Sequence, residues 1–506
     1  MTRRLFVLPL AVLLASIAAN GSGVRPGDAQ SDASAPLRLS SANPHYLEYR
    51  GRPLLLISSA EHYGAVINLD FDYVPYLAAL ARDGLNQTRL WTGFYVEDPK
   101  AFNITNNTLA PAPGRYIAPW ARSDQPGYAN GGNKFDLSRW DEAFFTRLRS
   151  YLAEAARRGV MVEIVLFCPF YQDSMWDLSP LHPRNNVNGL GTGLTRQSVY
   201  DLDRVEPAVV ELMDTYVRKI VTEVNRFDNL YFELVNEPYS FNDIVPDRFQ
   251  RHVADLIVST EKALPKQHLI AQNIANGTRR IDTPHPAVSI FNFHYASPPD
   301  AVTTNYALGK VIGDDETGFR GQADLPYRIE AWNFLLAGGG IFSHLDYSYT
   351  TAHPDGTWMP LPANQPGGGG PAFRRQMRAL ADFMKGFAFV RMTPRADVVS
   401  IGDAADLTVR AVAEEGRQYA IYVALADTGR GRGVDPLRAR ATTTLTARRV
   451  EMAVTLPSGR YEATWVNPLT GQSAARERFT HAGGARTLRS PAFLADVALR
   501  IVRAGG

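Results

Sequence analysis

Two stretches carry side chains suited to acid–base and nucleophilic work. The first is Tyr231-Phe232-Glu233-Leu234-Val235-Asn236-Glu237-Pro238. Its apolar run reads as a buried strand, and Pro238, with no N–H to give to a ladder, must end it. Asn236 and Glu237 are thus delivered at a strand's carboxyl end. The second is Lys310-Val311-Ile312-Gly313-Asp314-Asp315-Glu316-Thr317-Gly318, a strand that finishes in a cluster of acids. Two carboxyl groups about 5–5.5 Å apart, one protonated and one ionised, are what retaining cleavage of an acetal bond requires. A single Glu at a strand exit is merely solvated; a pair on nonadjacent strands of one barrel is a catalytic candidate. Side chains alternate along a strand, so Asp314 and Glu316 are expected on one face and Asp315 on the other. Glu316 is the first candidate and Asp314 the fallback.

The elements that would position these groups recur at regular intervals. Strands are expected over residues 54–59, 85–91, 160–167, 231–235, 269–273, 288–293, 310–318 and 338–344. Between them, apolar spacing of 3.6 predicts helices over 71–82, 140–158, 209–224, 249–264, 327–337 and 373–387, with Gly84 and Gly159 as stops. Phe135-Asp136-Leu137-Ser138 reads as the cap of the second helix. This alternation predicts an α/β fold, a (β/α)8 TIM barrel. At its carboxyl rim would stand Glu61 and His62 after the first strand, Arg89 and Trp91 near the end of the second, and His294 and Tyr295 after the sixth. The loop over 92–135 carries Tyr95, Phe102, Tyr116, Trp120 and Tyr128, and so many aromatics in a long loop suggest faces for sugar rings. Beyond Pro394 come short alternating strands at 408–412, 419–423 and 450–454, the pattern of a small all-β sandwich domain.

Phe232-Glu233-Leu234-Val235-Asn236-Glu237-Pro238 resembles the fourth-strand signature of the cellulase-like clan A of retaining glycoside hydrolases on (β/α)8 barrels. The resemblance implies that Glu237 is the general acid/base and that a Glu ending strand seven, here Glu316, is the nucleophile. It implies that Asn236 holds the sugar 2-hydroxyl, that Arg89 keeps the nucleophile ionised, and that His294 or Tyr295 donates to it. Glu233 shares the inward parity of Glu237 and needs a partner inside the barrel, for which Arg89 is a candidate. The stretch from Tyr461 to Gly471 resembles the collagen-binding-type sandwich that accompanies apiosidase-like members of the clan. The strand-eight end departs from the pattern. It reads Phe342-Ser343-His344-Leu345-Asp346-Tyr347-Ser348-Tyr349, without the clan's frequent Trp, so Tyr347 or Tyr349 must supply the aromatic floor and a glycone other than glucose is expected.

Composition excludes several other classes. The chain has 506 residues; with Arg3 and Arg4 set aside, 51 basic residues face 51 acidic ones, which offers no footprint for nucleic acid. Residues 1–19 form a charged start, a short apolar core and a run of small residues, which reads as a secretory signal peptide. No span is expected after its removal. The expected layout is signal peptide 1–19, flexible lead-in 20–35, catalytic barrel 36–393 and sandwich 394–506. Cys168 is the sole cysteine. His62, His182, His294 and His344 are scattered without metal-ligand spacing, and Gly338-Gly339-Gly340 precedes the last strand instead of cradling a phosphate after it. No cofactor or metal is expected, and the expected partner is a carbohydrate substrate. The alternative is an inactive glycan-binding barrel. The sandwich is expected to pack against the barrel, with glycan binding as the other option.

Overall fold

The computed structural model describes residues 35–402, 404–427 and 445–505. The signal peptide expected over residues 1–19, and all but the last residue of the lead-in, lie outside the described residues. Among those described, no helix is long and apolar enough to cross a membrane.

Eight parallel strands form the barrel: β1 Leu56–Ala60, β2 Gln87–Trp91, β3 Met161–Phe167, β4 Leu230–Val235, β5 Ile270–Asn276, β6 Val288–His294, β7 Val311–Thr317 and β8 Ile341–Leu345. Ladders run in the order β1-β8-β7-β6-β5-β4-β3-β2. At the remaining seam Asn86 N donates to Ile57 O (3.2 Å), Asn86 Oδ1 accepts from Ile57 N (2.9 Å), and Ser58 Oγ donates to Gln87 O (2.5 Å). The outer layer holds α1 Tyr73–Arg82, α2 Glu142–Arg158, α3 Pro207–Val224, α4 Asp247–Glu261, the short α5 Asp300–Asn305, α6 Asp324–Leu336 and α7 Pro371–Lys385. Asp72 and Asp141 cap α1 and α2 by accepting from Val74 N and Ala143 N. Gly159, at φ 72°, stops α2 in the left-handed conformation that costs glycine least. Below the strands, a hairpin of Leu47–Tyr49 and Arg52–Leu54 turns at Arg50-Gly51, as its sequence suggests.

The loop after β2 departs from expectation. It is not structureless: Trp120–Pro126 pairs antiparallel with Asn133–Trp140, so residues 135–138 belong to a strand and α2 begins only at Glu142. Nor do most of its aromatics face outward. Tyr95, Tyr116, Trp120 and Tyr128 are buried, Tyr128 lying edge-on to Phe135 (5.0 Å) and Trp120 stacked on Tyr216 (5.4 Å). Large rings in a long loop gain more by burying one another than by facing water.

The C-terminal part consists of two antiparallel sheets. Six strands run in the order Thr393–Pro394, Leu407–Glu414, Gln418–Leu425, Asp496–Arg503, Gly459–Val466, Ser473–His481; three more, Val399–Ile401, Glu451–Leu456 and Gly484–Arg489, form the second sheet. Ile421, Met452, Val454, Trp465, Leu488 and Leu499 fill the space between them. The larger sheet lies on α6, which is why Leu325 to Leu336 are buried all round. Trp332 stacks on Tyr422 (5.1 Å), and Arg328 donates twice to Asp496 (2.8 and 3.1 Å). Asp427 holds Arg320 bidentately (2.9 Å each) and accepts from Ser297 Oγ. Both of those residues sit on barrel loops. Asp427→Ala strips Arg320 of its bidentate partner but leaves it Glu330 (3.1 Å), so the loss is that of charged hydrogen bonds, about 1.5–3 kcal/mol. Urea denaturation of the whole chain is expected to register that loss.

Candidate active site

The barrel interior is layered. Leu56, Met161, Tyr231, Ala271, Ile290, Val311 and Ile341 make an apolar base with Leu37 and Leu47. Above it lies a polar tier centred on Arg89, which is fully buried. Its Nε faces Glu163 (3.3 Å) and Asp315 (3.2 Å), and Nη2 meets Glu233 (2.7 Å) and Asn236 Oδ1 (2.9 Å). Nη1 reaches Tyr63 Oη (2.9 Å) and Glu316 (3.2 Å). Glu163, Glu233 and Asp315 stand close enough to ligate a cation, but the guanidinium already supplies the positive charge there. Burial, and then the crowding of carboxylates, push Glu163 well above the usual carboxylate range. Asp315 is pushed up too, by burial first and despite the pull of Arg89.

The rim carries the two candidate carboxyls. One oxygen each of Glu237 and Glu316 and a ring nitrogen of His294 lie within 4.8 Å of one another. Glu316 Oε1 accepts from Tyr295 Oη (2.8 Å) and Oε2 from Tyr63 Oη (2.9 Å). Glu237 Oε2 accepts from Tyr171 Oη (2.8 Å), while His294 Nδ1 lies 2.9 Å from its Oε1. Burial raises Glu316, but His294, Arg89 and the two tyrosine hydroxyls outweigh it and bring it down to about 2. Burial lowers His294, but the charges of Glu316 and Asp315 and the bond to Glu237 lift it to about 9. Tyr63, Glu237 and Tyr295 all hold positive φ (60°, 41° and 50°), backbone strain of the kind that gathers at functional sites.

These two shifts fix a pH window. Raised from 6.5, His294 contributes stability that is whole below pH 6.5 and is lost as pH climbs through about 9. Lowered from 4.5, Glu316 contributes stability present above pH 4.5 and lost as pH falls towards about 2. The stability gap between wild type and His294→Gln is therefore expected to narrow from pH 6.5 to 9, which melting curves across that range measure.

One expectation about parity fails. Between β6 and β7 the register steps from Phe293↔Asp314 to His294↔Glu316, so Asp315 is an extra residue in a bulge. Val311, Gly313 and Asp315 face inward, and the bulge turns Glu316 inward as well. A Cβ on Gly313 would lie 2.5 Å from Asn292 Oδ1, which shows how crowded that interior is. Asp314 points away, accepting from Ala296 N (3.4 Å) beside Glu330, so the fallback nucleophile does not face the cleft.

The cleft holds about 200 Å³ and is lined by His62, Trp91, Asn236, Glu237, Tyr295 and Glu316 among the residues singled out in the sequence. Trp91 stacks on Tyr63 at 4.2 Å, so β2, not β8, brings the Trp. Tyr295 donates to Glu316, whereas His294 sits closer to Glu237. Two candidates lie elsewhere. Glu61 is buried under the rim, where it accepts from Gly64 N (3.1 Å), Ala65 N (3.0 Å) and Thr108 Oγ1 (2.5 Å), and burial lifts it to about 7. It fastens the loop, and Gly64 allows the close approach: a Cβ there would meet Thr108 O at 2.1 Å. Tyr349 packs edge-on to Tyr76 (4.9 Å) and under Arg374 (4.8 Å), outside the cleft lining, because a buried ring there fills the gap between α1 and α7. Sequence reasoning passed over Tyr63, Glu97, Glu163 and Phe319, and turned Asp315 to the wrong face. Only Glu163, an acid within an otherwise apolar strand, carried a signal comparable to that of Glu233.

No family model matches the chain, and no curated protein matches it. Solved structures do. A candidate glycoside hydrolase from Bacteroides vulgatus aligns with TM-score 0.61 and 13% identity over 94% of this chain and 83% of its own. A glycoside hydrolase family 5 protein from the same organism gives TM-score 0.60 and 15% identity over 93% and 94%. The chain shares its fold with these proteins. A third, described as a glycoside hydrolase, gives TM-score 0.60 and 15% identity over 94% of this chain and 98% of that one. At these identities the likeness is one of architecture.

Proposed function

We propose that this chain is an exported retaining glycoside hydrolase of the clan A type, cellulase-like or apiosidase-like, with a collagen-binding-type C-terminal sandwich. The observation that carries the reading is the approach of Glu237 and Glu316 to within 4.8 Å across one barrel rim, the spacing of direct attack on the sugar with no room for a water between. Glu316, held ionised, attacks the anomeric carbon; Glu237 protonates the departing oxygen. His294 Nδ1, 2.9 Å away, is a proton source for Glu237. Once Glu316 is glycosylated its charge is gone, and Glu237 turns from acid to base towards water. Asn236, fixed between Arg89 and Tyr171, holds the 2-hydroxyl. The leader over residues 1–19 supports export. The absence of Trp from the strand-eight end supports a glycone other than glucose.

The test is mass spectrometry after incubation with a panel of 2-deoxy-2-fluoro glycosides. A sugar covalently held on Glu316 is expected. Glycan binding with no adduct and no turnover, unchanged in Glu237→Gln and Glu316→Gln, would instead favour an inactive glycan-binding barrel. Glu237→Ala is expected to slow aryl glycosides by about 10²–10⁴-fold. The loss should be least for leaving groups that depart without a proton, as steady-state kinetics across a leaving-group series would record.

A further inference from the structure

The cleft is not symmetric about the two carboxyls. Around Glu316, His62 (8% exposed) and Glu97 (4%) close the end, with Leu109 fully buried behind them. Glu97 is fixed by His62 Nε2 (3.1 Å) and Asn107 Nδ2 (2.5 Å). Around Glu237 the cleft opens: Asn276 is exposed and Phe241 is 54% exposed. A roof closes the Glu316 side and reaches across to Tyr171, the hydroxyl that donates to Glu237. Phe102, from the loop after β2, lies edge-on to Tyr171 (5.3 Å) and to Phe319 of the loop after β7 (6.1 Å). Phe319 in turn meets Tyr347 (6.1 Å). The same loop is tied to the segment after β8, where Thr105 N donates to Gln365 Oε1 (2.9 Å). Phe102, Asn103 and Asn106 all hold positive φ (53°, 60° and 56°), so the roof keeps a conformation that costs energy and that its anchors must enforce.

We infer that the enzyme acts at chain ends, taking a single non-reducing terminal sugar against Glu97 and His62, with the Phe102–Phe319 bridge excluding any further sugar on that side. The inference rests on the hydrolase reading above. The nucleophile stands beneath the glycone and the acid/base beside the leaving group, so the closed half is the glycone half. The whole cleft, about 200 Å³, is below the roughly 300–1,000 Å³ of sites for drug-sized ligands. The Glu97 carboxylate offers acceptors to the hydroxyls of the one ring that fits. A longer chain would have to pass between the loops after β2 and β8, where the Thr105–Gln365 bond lies. On the open side the leaving group can be of any length.

The experiment compares 4-nitrophenyl monosaccharides with the same glycosides extended by one sugar at the non-reducing end. Wild type is expected to turn over a monosaccharide glycoside and to lose at least about 10³-fold in kcat/KM on extension. Gln365→Ala, which frees the roof without touching the cleft, is expected to recover about tenfold or more on the extended substrate. Phe102→Ala should do the same if the first variant fails to fold. Equal turnover of both lengths by wild type overturns the inference and leaves the hydrolase reading standing. No turnover of either, with no fluorosugar adduct, overturns the reading and the inference with it.

Discussion

Glu316→Gln is expected to abolish turnover, by on the order of 10⁵-fold in kcat, because no other group can form the covalent bond. The substitution keeps shape but removes the charge that Arg89 and the hydroxyls of Tyr63 and Tyr295 are placed to hold. One of those donors then faces an amide N–H₂, a mismatch costing about 1–3 kcal/mol. That cost is small enough for the fold to survive, so lost activity and lost structure can be told apart by circular dichroism. The partner variant Glu316→Ala leaves a space beside the anomeric carbon. Added azide should enter it and yield a glycosyl azide of inverted configuration, detectable by NMR. Ordinary turnover by Glu316→Gln would remove Glu316 from the mechanism, and since Asp314 faces Glu330 and not the cleft, it would remove the double displacement too.

Arg89→Met is expected to be the most destabilising single change in the barrel, by at least about 3–5 kcal/mol, the cost of stranding one buried carboxylate. Here Glu163, Glu233, Asp315 and Glu316 all touch the same guanidinium. Without it they can lower their mutual repulsion only by binding protons. Glu163 and Asp315, which burial already holds high, rise further, and Glu316 loses part of what keeps it low. The variant therefore gains stability at low pH and loses it as pH rises through those values. Unfolding midpoints of Arg89→Met should accordingly climb on acidification from neutral pH over a range where wild type changes less. A midpoint within error of wild type at neutral pH would mean that the polar tier is held by its hydrogen bonds, not by the charge of Arg89.

These two residues also divide what was legible from what was not. Glu316 could be found because it lies at the exit of a strand with a readable period, downstream of Asn236-Glu237 by the right number of strands. Arg89 and Glu233 could be paired because a buried charge must have a partner. Glu163 and Asp315 could not be added to that pair, since nothing local says how many acids share one interior. The helices around the rim were readable from their apolar faces, but α6 was placed three residues late because both of its sides are covered, by β8 and by the C-terminal sheet, which erases the stripe.

The amino-acid order alone determined the strand exits, and hence the two carboxyls and the architecture that brings them to one rim, because alternation and helical period are properties of neighbouring residues. The tertiary structure alone decided three things: the bulge that turns Glu316 inward beside Asp315, the burial of the loop aromatics against one another, and the roof of Phe102 and Phe319 over the cleft. Each is a contest among groups far apart in the chain. Its outcome depends on which surfaces meet, and no spacing within a segment records that.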